Sequence, residues 1–393
     1  MNLMNRLALT HKYFGTDSLS RPAHSPVRVA FIDVARAIAI ILMLYAHALE
    51  MSKTTSSAFP ESTFTQWQFI YGFHMPLFYV ISGLVFRQKS KTKIVEGSLN
   101  LIFIAFAIHF FVWAAALLVG LPHHRPNGQD LGNLIRPFAK GGDFATVVVW
   151  FLVSLAFVQV LFNVWLLTSA SKRIMLAVGL AVIFLASQAK HINTWQISTV
   201  PEGFALFALG YWITKQKIAE RFNRNAPAIT GALFGFAIAM VASKLNHGCT
   251  FHPNQSCSNF SSGFGVFMAH GELGFIPLFV LSATAGSLAV ILLADVIARS
   301  IPALSNQLSS IGSKSLDLLI VNGIVLVFVQ KPLGHYVSHE LSPVAQMAVA
   351  AGLTAVQILL LPVWQLFTLR LASMTKRWAG AVASRLEPKS SAT

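Results

Sequence analysis

Charge is scarce in this chain. Asp, Glu, Lys and Arg together make up 11% of its 393 residues, and only 14 residues are acidic. A soluble domain carries about a quarter charged residues, so the composition excludes an ordinary water-soluble enzyme. Cysteine is almost lacking: Cys249 and Cys257 are the only two, which leaves room for one bridge at most. There is no Walker-type or dinucleotide-binding glycine motif, no evident internal repeat and no low-complexity tract. The weak alternating pattern of a membrane β-barrel is missing as well.

What the chain has in abundance is apolar sequence, at 55% of residues. Runs of roughly 20 apolar residues recur along its length, the signature of membrane-spanning helices. The expected fold is an all-α polytopic membrane bundle of about ten transmembrane helices. The apolar segments fall near 29–50, 64–86, 98–121, 144–169, 174–188, 197–214, 226–243, 273–298, 315–333 and 344–369. Residues 1–28 read as a polar, basic cytoplasmic arm, 29–369 as the transmembrane domain, and 370–393 as a basic cytoplasmic tail. No cleavable signal is expected, because residues 1–28 lack an apolar core.

The formal charge of +15 does not point to nucleic acid, because the basic residues sit in short loops between spans and build no soluble domain. Their distribution gives orientation instead. With the N-terminus inside, 21 of the 29 Lys and Arg fall on the cytoplasmic side and seven on the other, with Arg36 inside the membrane. That bias predicts a cytoplasmic (inner) membrane protein with both termini in the cytoplasm. The loop holding Cys249 and Cys257 then faces outward. By itself the pair reads as a disulfide, as reduced thiols or, with His247 and His252 near, as metal ligands. The orientation favours the disulfide.

The first span carries ionisable residues where hydrocarbon makes them costly. Asp33, Arg36 and His47 lie in it, with Glu50 at its outer end. Each such group costs roughly 2.5–3.5 kcal/mol on insertion scales, so it is retained where it faces a protein interior and has a task. At about 100° per residue, the eleven steps from Arg36 to His47 return to within roughly 20° of the same face, about 16 Å further along. Arg36 belongs to the cytoplasmic half and His47 to the outer half. Glu50, one turn beyond His47, is placed to hold the imidazole in one tautomer and to support it as a general base.

The second span contains Tyr71-Gly-Phe-His-Met-Pro-Leu-Phe-Tyr-Val-Ile-Ser-Gly83 and leads into the basic run Arg87, Lys89, Lys91 and Lys93. Pro76 can kink this helix around a cavity, and His74 is a further intramembrane histidine. The basic run serves orientation, and it also suits a polyphosphate ligand at the cytoplasmic mouth.

Arg-x10-His in the first span, followed by Phe73-His-Met-Pro-Leu-Phe-x-x-Ile-Ser-Gly83, resembles the membrane acyltransferase-3 family, which includes polysaccharide O-acetyltransferases and fucose-4-O-acetylase-like proteins. Weaker echoes are Trp150-Phe-Leu152, Phe204-Ala-Leu-Phe-Ala-Leu-Gly-Tyr-Trp212 and Ile311-Gly-x-x-Ser315. Where the family often has a histidine after that last segment, this chain has Asn322. The family's basic pair after the second motif is matched here by Arg87-x-Lys89, with lysine in the second place. The resemblance implies transfer of an acyl group, acetyl in the first instance, from cytoplasmic acyl-CoA to a hydroxyl of a cell-surface or exported glycan or of a lipid-linked saccharide. Acetyl-CoA or another acyl-CoA is then the donor, and no metal is expected. His47 is the expected base. Arg36 either stabilises the oxyanion of the attacked thioester or holds the donor, and Arg87 and Lys89 meet the CoA phosphates. An acyl-histidine relay and direct transfer both fit. The alternatives are N-acylation of an amino sugar, or an ion-coupled transporter, which also uses buried Arg, His and Asp beside a proline-kinked helix.

Overall fold

The computed structural model describes residues 26–52, 61–120, 128–142, 144–190, 194–215, 225–246 and 266–386. Among these there is no strand, only one isolated bridge between Phe267 and Glu272. The fold is an all-α polytopic bundle. The loop with Cys249 and Cys257 lies outside the described residues.

The first helix, α1 (Pro26–Leu49), is the axis of the molecule. Val34, Ala35, Ala37, Ala39, Ile40, Met43, Leu44 and Ala46 on it are fully buried, and several alanines among them let neighbouring backbones come close. It packs against α3 (His74–Leu84), α10 (Ile276–Ser300), α11 (Pro302–Gly312) and α14 (Pro343–Leu359). Around this centre stand α4 (Lys91–Val119), α6 (Trp150–Leu167), α7 (Ala170–Lys190), α8 (Val200–Lys215) and α9 (Asn225–Leu245). The outer helices turn large apolar side chains outward. On α7, Met175 is 73% exposed and Ile174 65%, and on α9 Phe234 is 68% exposed. Apolar surface on that scale is stable against lipid and not against water.

The span count differs from the ten expected. Among the described residues, seven helices are long and apolar enough to cross a membrane, or eight if the pair α14 and α15 (Leu361–Arg385), which meet at 60°, forms one bent span. The segments near 64–86 and 197–214 are helical but not single long helices. The first is broken into α2 (Glu61–Tyr71) and α3. Pro76 has no N–H to offer the carbonyl of Gly72, four residues back. Ser282 Oγ from α10 donates to that carbonyl instead, at 3.4 Å. The second is the sixteen-residue α8, entered through a short turn, Thr194–Thr199. Helices α3 and α8 cross in near backbone contact. A Cβ at Gly83 would collide with the Phe207 carbonyl, and one at Gly210 with the Val80 carbonyl. Small residues at such a crossing are what dispersion-driven packing requires.

The remaining pieces are α5 (Gly128–Lys140), α12 (Ser315–Val325), a π-helical turn Leu326–Gln330 and α13 (Lys331–Glu340). Helix α15 continues to Arg385, through most of the stretch read from sequence as a basic tail, and packs along α4. The outcome for the site is simple. The end of α1, the break between α2 and α3, the start of α6, the turn before α10 and the middle of α12 all converge at one place.

Candidate active site

At the C-terminal end of α1, His47 is buried at 7% exposure. Its Nδ1 lies 2.6 Å from Asn322 Oδ1 on α12. Asn322 is itself fully buried, and its Nδ2 donates to Gln357 Oε1 on α14 at 3.2 Å. Gln357 Nε2 in turn donates to the Leu353 carbonyl at 3.3 Å. The chain has one consistent assignment. Because the Asn322 amide nitrogen is engaged with Gln357, its oxygen faces the imidazole, so Nδ1 of His47 carries the proton. Nε2 is then the basic nitrogen. A histidine held by one nitrogen and basic at the other is what proton abstraction requires.

Glu50, expected to support His47, does not. Among the described residues its partner is Tyr71, whose hydroxyl donates to Glu50 Oε1. The i+3 spacing brings Glu50 to the right turn, but Tyr71 on α2 takes the carboxylate, and Asn322, 275 residues away, takes Nδ1. Glu50 therefore bears on the site through Tyr71, whose ring centre is 6.1 Å from that of His47.

His74 is the second imidazole. The break after Tyr71 puts it in the first turn of α3, where its Nδ1 donates to the Ile70 carbonyl at 2.9 Å. This leaves Nε2 as a lone-pair acceptor, and it is buried without a partner among the described residues. An unpaired buried acceptor costs roughly 1–3 kcal/mol. The His47 and His74 ring centres are 6.2 Å apart and the rings stand at 89°.

Both histidines line one small pocket that is partly open to the outside. Its walls are largely apolar and aromatic, with Tyr71, Trp150, Phe267 and Met268 prominent. Tyr71 is clamped between Trp67, at 4.2 Å between ring centres, and Phe267, at 5.9 Å and only 14° from parallel. A polar pair within an apolar wall is the ordinary make-up of a small-molecule site.

Arg36 is elsewhere. It forms an ion pair with Asp33 at 3.0 Å, with the two side chains 32% and 21% exposed, and it does not line the pocket. Along the unbroken α1 it stands about 16 Å from His47. Arg87 and Lys89 lie further out, exposed, in the loop that joins α3 to α4. Helix α3 runs from His74 back towards the end of the bundle where α1 begins, so this loop and Arg36 belong to the same half of the molecule. The loop is pinned. The buried Asn163 accepts from the backbone N–H of Lys89 at 3.0 Å and donates to its carbonyl at 3.1 Å.

Of the residues singled out in the sequence, the structure thus gathers His47 and His74 in one pocket, with Glu50 behind Tyr71. It keeps Arg36, Arg87 and Lys89 apart from them. Asn322 and Gln357 are the partners that sequence reasoning did not assign. A lone amide in the apolar run Leu318–Val327 was the available signal, since polar side chains inside spans seek partners on other helices. Among the described residues, no three His, Cys, Asp or Glu side chains converge as metal ligands.

Fold and site together define a membrane-embedded enzyme in which a buried, oriented imidazole lines a partly open pocket. The family model described as an acyltransferase domain matches residues 29–363, and the chain belongs to that family, the membrane acyltransferase-3 family. It is a transferase of acyl groups other than amino-acyl groups. No curated protein and no solved structure matches the chain significantly.

Proposed function

We propose that this protein moves a short acyl group, acetyl in the simplest case, from cytoplasmic acyl-CoA to a hydroxyl of a cell-surface or exported glycan. The observation that carries the reading is the His47–Asn322–Gln357 chain, which leaves His47 Nε2 basic beside the pocket. A sugar hydroxyl is a poor nucleophile at neutral pH, and a placed imidazole that takes its proton during attack contributes typically 10²–10⁴-fold. In this scheme the hydroxyl oxygen bonds to the thioester carbonyl carbon while its proton passes to His47 Nε2. The tetrahedral intermediate then expels the CoA thiolate, which takes the proton back from the imidazolium. Direct transfer needs no covalent enzyme intermediate.

Arg36 and His47 divide the labour in this scheme. At about 16 Å, Arg36 cannot stabilise an oxyanion on the same carbon that a nucleophile held by His47 attacks, since such donors act at about 3 Å. Arg36 is better suited to the donor, along with Arg87 and Lys89. Its half of α1 is the cytoplasmic half when the termini lie inside, and an extended pantetheine arm bridges a distance of this order. The bundle thus takes its donor at the inner face of the cytoplasmic membrane and its acceptor at the outer.

The test uses the purified protein in lipid nanodiscs with isotope-labelled acetyl-CoA and glycan extracted from native membranes. Release of free CoA thiol together with label on the glycan is the expected result. Removal of that label by mild alkali identifies an ester, and resistance identifies N-acylation instead. Absence of both thiol release and label ends the reading. Sidedness is tested separately. Single cysteines placed at 87–93 are expected to react with an impermeant maleimide only after the inner membrane is opened. Labelling of intact cells there would invert the orientation and remove the donor role of Arg87 and Lys89.

A further inference from the structure

His47 accounts for one basic nitrogen in the pocket, and the chemistry of transfer asks for no second. His74 nonetheless lines the same cavity with its proton committed to the Ile70 carbonyl and with no partner for its enclosed Nε2 among the described residues. A histidine kept only for packing would have both nitrogens satisfied or would be replaced by an apolar side chain of similar size. A bare acceptor beside a substrate cavity calls for a ligand that brings a donor.

We infer that His74 is a positioning residue that accepts a hydrogen bond from a second hydroxyl of the acceptor, next to the hydroxyl that His47 deprotonates. The inference rests on the acyl-transfer reading and names the acceptor class within it: a polyol presenting two adjacent hydroxyls. The spacing suits this. With ring centres 6.2 Å apart, two Nε2 acceptors are within reach of hydroxyl oxygens about 3 Å apart, each bonded at about 2.8 Å. The aromatic wall of Tyr71, Trp150 and Phe267 offers flat surface to the C–H face of a ring that carries them. The break between α2 and α3 acquires a use as well. The Ile70 carbonyl there accepts from the Phe73 N–H at 3.1 Å and from the His74 Nδ1–H as well, which decides which His74 nitrogen is left to the pocket.

The test needs no knowledge of the natural acceptor. Purified protein in nanodiscs is given acetyl-CoA with cis-1,2-cyclohexanediol or with cyclohexanol, and the acetyl ester is measured by mass spectrometry beside free thiol. The wild type is expected to prefer the diol about tenfold or more in kcat/KM, because a site built to bond a hydroxyl rejects the analogue lacking it. His74→Leu is expected to erase the preference to within about twofold by losing rate on the diol alone, and His74→Gln, which keeps an acceptor, to recover part of it. Elution of His74→Leu as one monodisperse species with cooperative thermal unfolding shows that the variant is folded. Equal rates on both alcohols in the wild type overturn the inference, as does an equal loss of rate on the diol and on cyclohexanol in both folded His74 variants, which would put His74 in the chemistry itself. Transfer to native glycan with no ester from the diol also overturns it while leaving acyl transfer standing. If thiol release fails with every acceptor including native glycan, the broader reading falls.

Discussion

His109 and His47 look alike along the chain: each is one imidazole inside an apolar span. Their surroundings differ completely. His109 on α4 is 1% exposed, and both of its nitrogens are bonded. Its Nδ1 accepts from the backbone N–H of Ala145 at 2.9 Å, and its Nε2 donates to the Leu134 carbonyl at 3.2 Å. It ties α4 to α5 and to the chain entering α6, and nothing is left over for a ligand. Among the described residues His47 is bonded at Nδ1 only, and His74 likewise. The lesson is that burial of a histidine in a membrane protein says little. What distinguishes a site from a staple is a nitrogen left without a protein partner at the wall of a cavity.

That contrast is sharpest in the base itself. His47→Ala is expected to reduce transfer at least 10²-fold, and up to 10⁴-fold, while the protein still inserts and purifies as one species. Near wild-type transfer by a well-expressed His47→Ala protein would falsify the general-base role and erase the distinction from His109. Next in size comes the support behind the base. Asn322→Ala is expected to lower kcat by 10–100-fold, the usual scale for losing the group that orients an imidazole, with little change in the KM for acyl-CoA. An unchanged kcat would show that His47 holds its tautomer without Asn322.

Arg36 offers a smaller effect of another kind. Arg36→Lys is expected to raise the KM for acyl-CoA by about tenfold with a lesser change in kcat, because a point charge replaces a planar fork that also pairs with Asp33. A fall in kcat at constant KM would instead return Arg36 to the reacting carbonyl. The smallest effect on activity belongs to His109. His109→Leu leaves the Ala145 N–H and the Leu134 carbonyl unpaired, so a loss of roughly 1–3 kcal/mol in stability is expected, seen as a lower Tm in detergent. Transfer per folded molecule is expected to stay within about twofold. Should it collapse at an unchanged Tm, His109 belongs to the site after all.

Much of this architecture is legible in the sequence because hydrocarbon is an unforgiving solvent. A run of apolar residues long enough to span a bilayer must satisfy its backbone internally, so a helix is dictated locally. The recurrence of such runs determines an all-α membrane bundle. The spacing from Arg36 to His47 determines that both lie on one face of α1, about 16 Å apart. The family was legible too, through that spacing and the Phe73–Gly83 stretch.

Other features belong to tertiary structure alone. Glu50 satisfied every local criterion for pairing with His47, and it pairs with Tyr71 instead. Asn322, 275 residues away, takes the histidine. The second apolar segment reads as one span, and it is two eleven-residue helices whose break is stabilised by Ser282 from α10. The difference has a physical cause. Backbone hydrogen bonding in a helix closes within four residues, so sequence near a position determines it. A side-chain hydrogen bond inside the membrane goes to whichever buried partner packing delivers, and that partner is chosen by how the helices cross, which no local stretch of sequence contains.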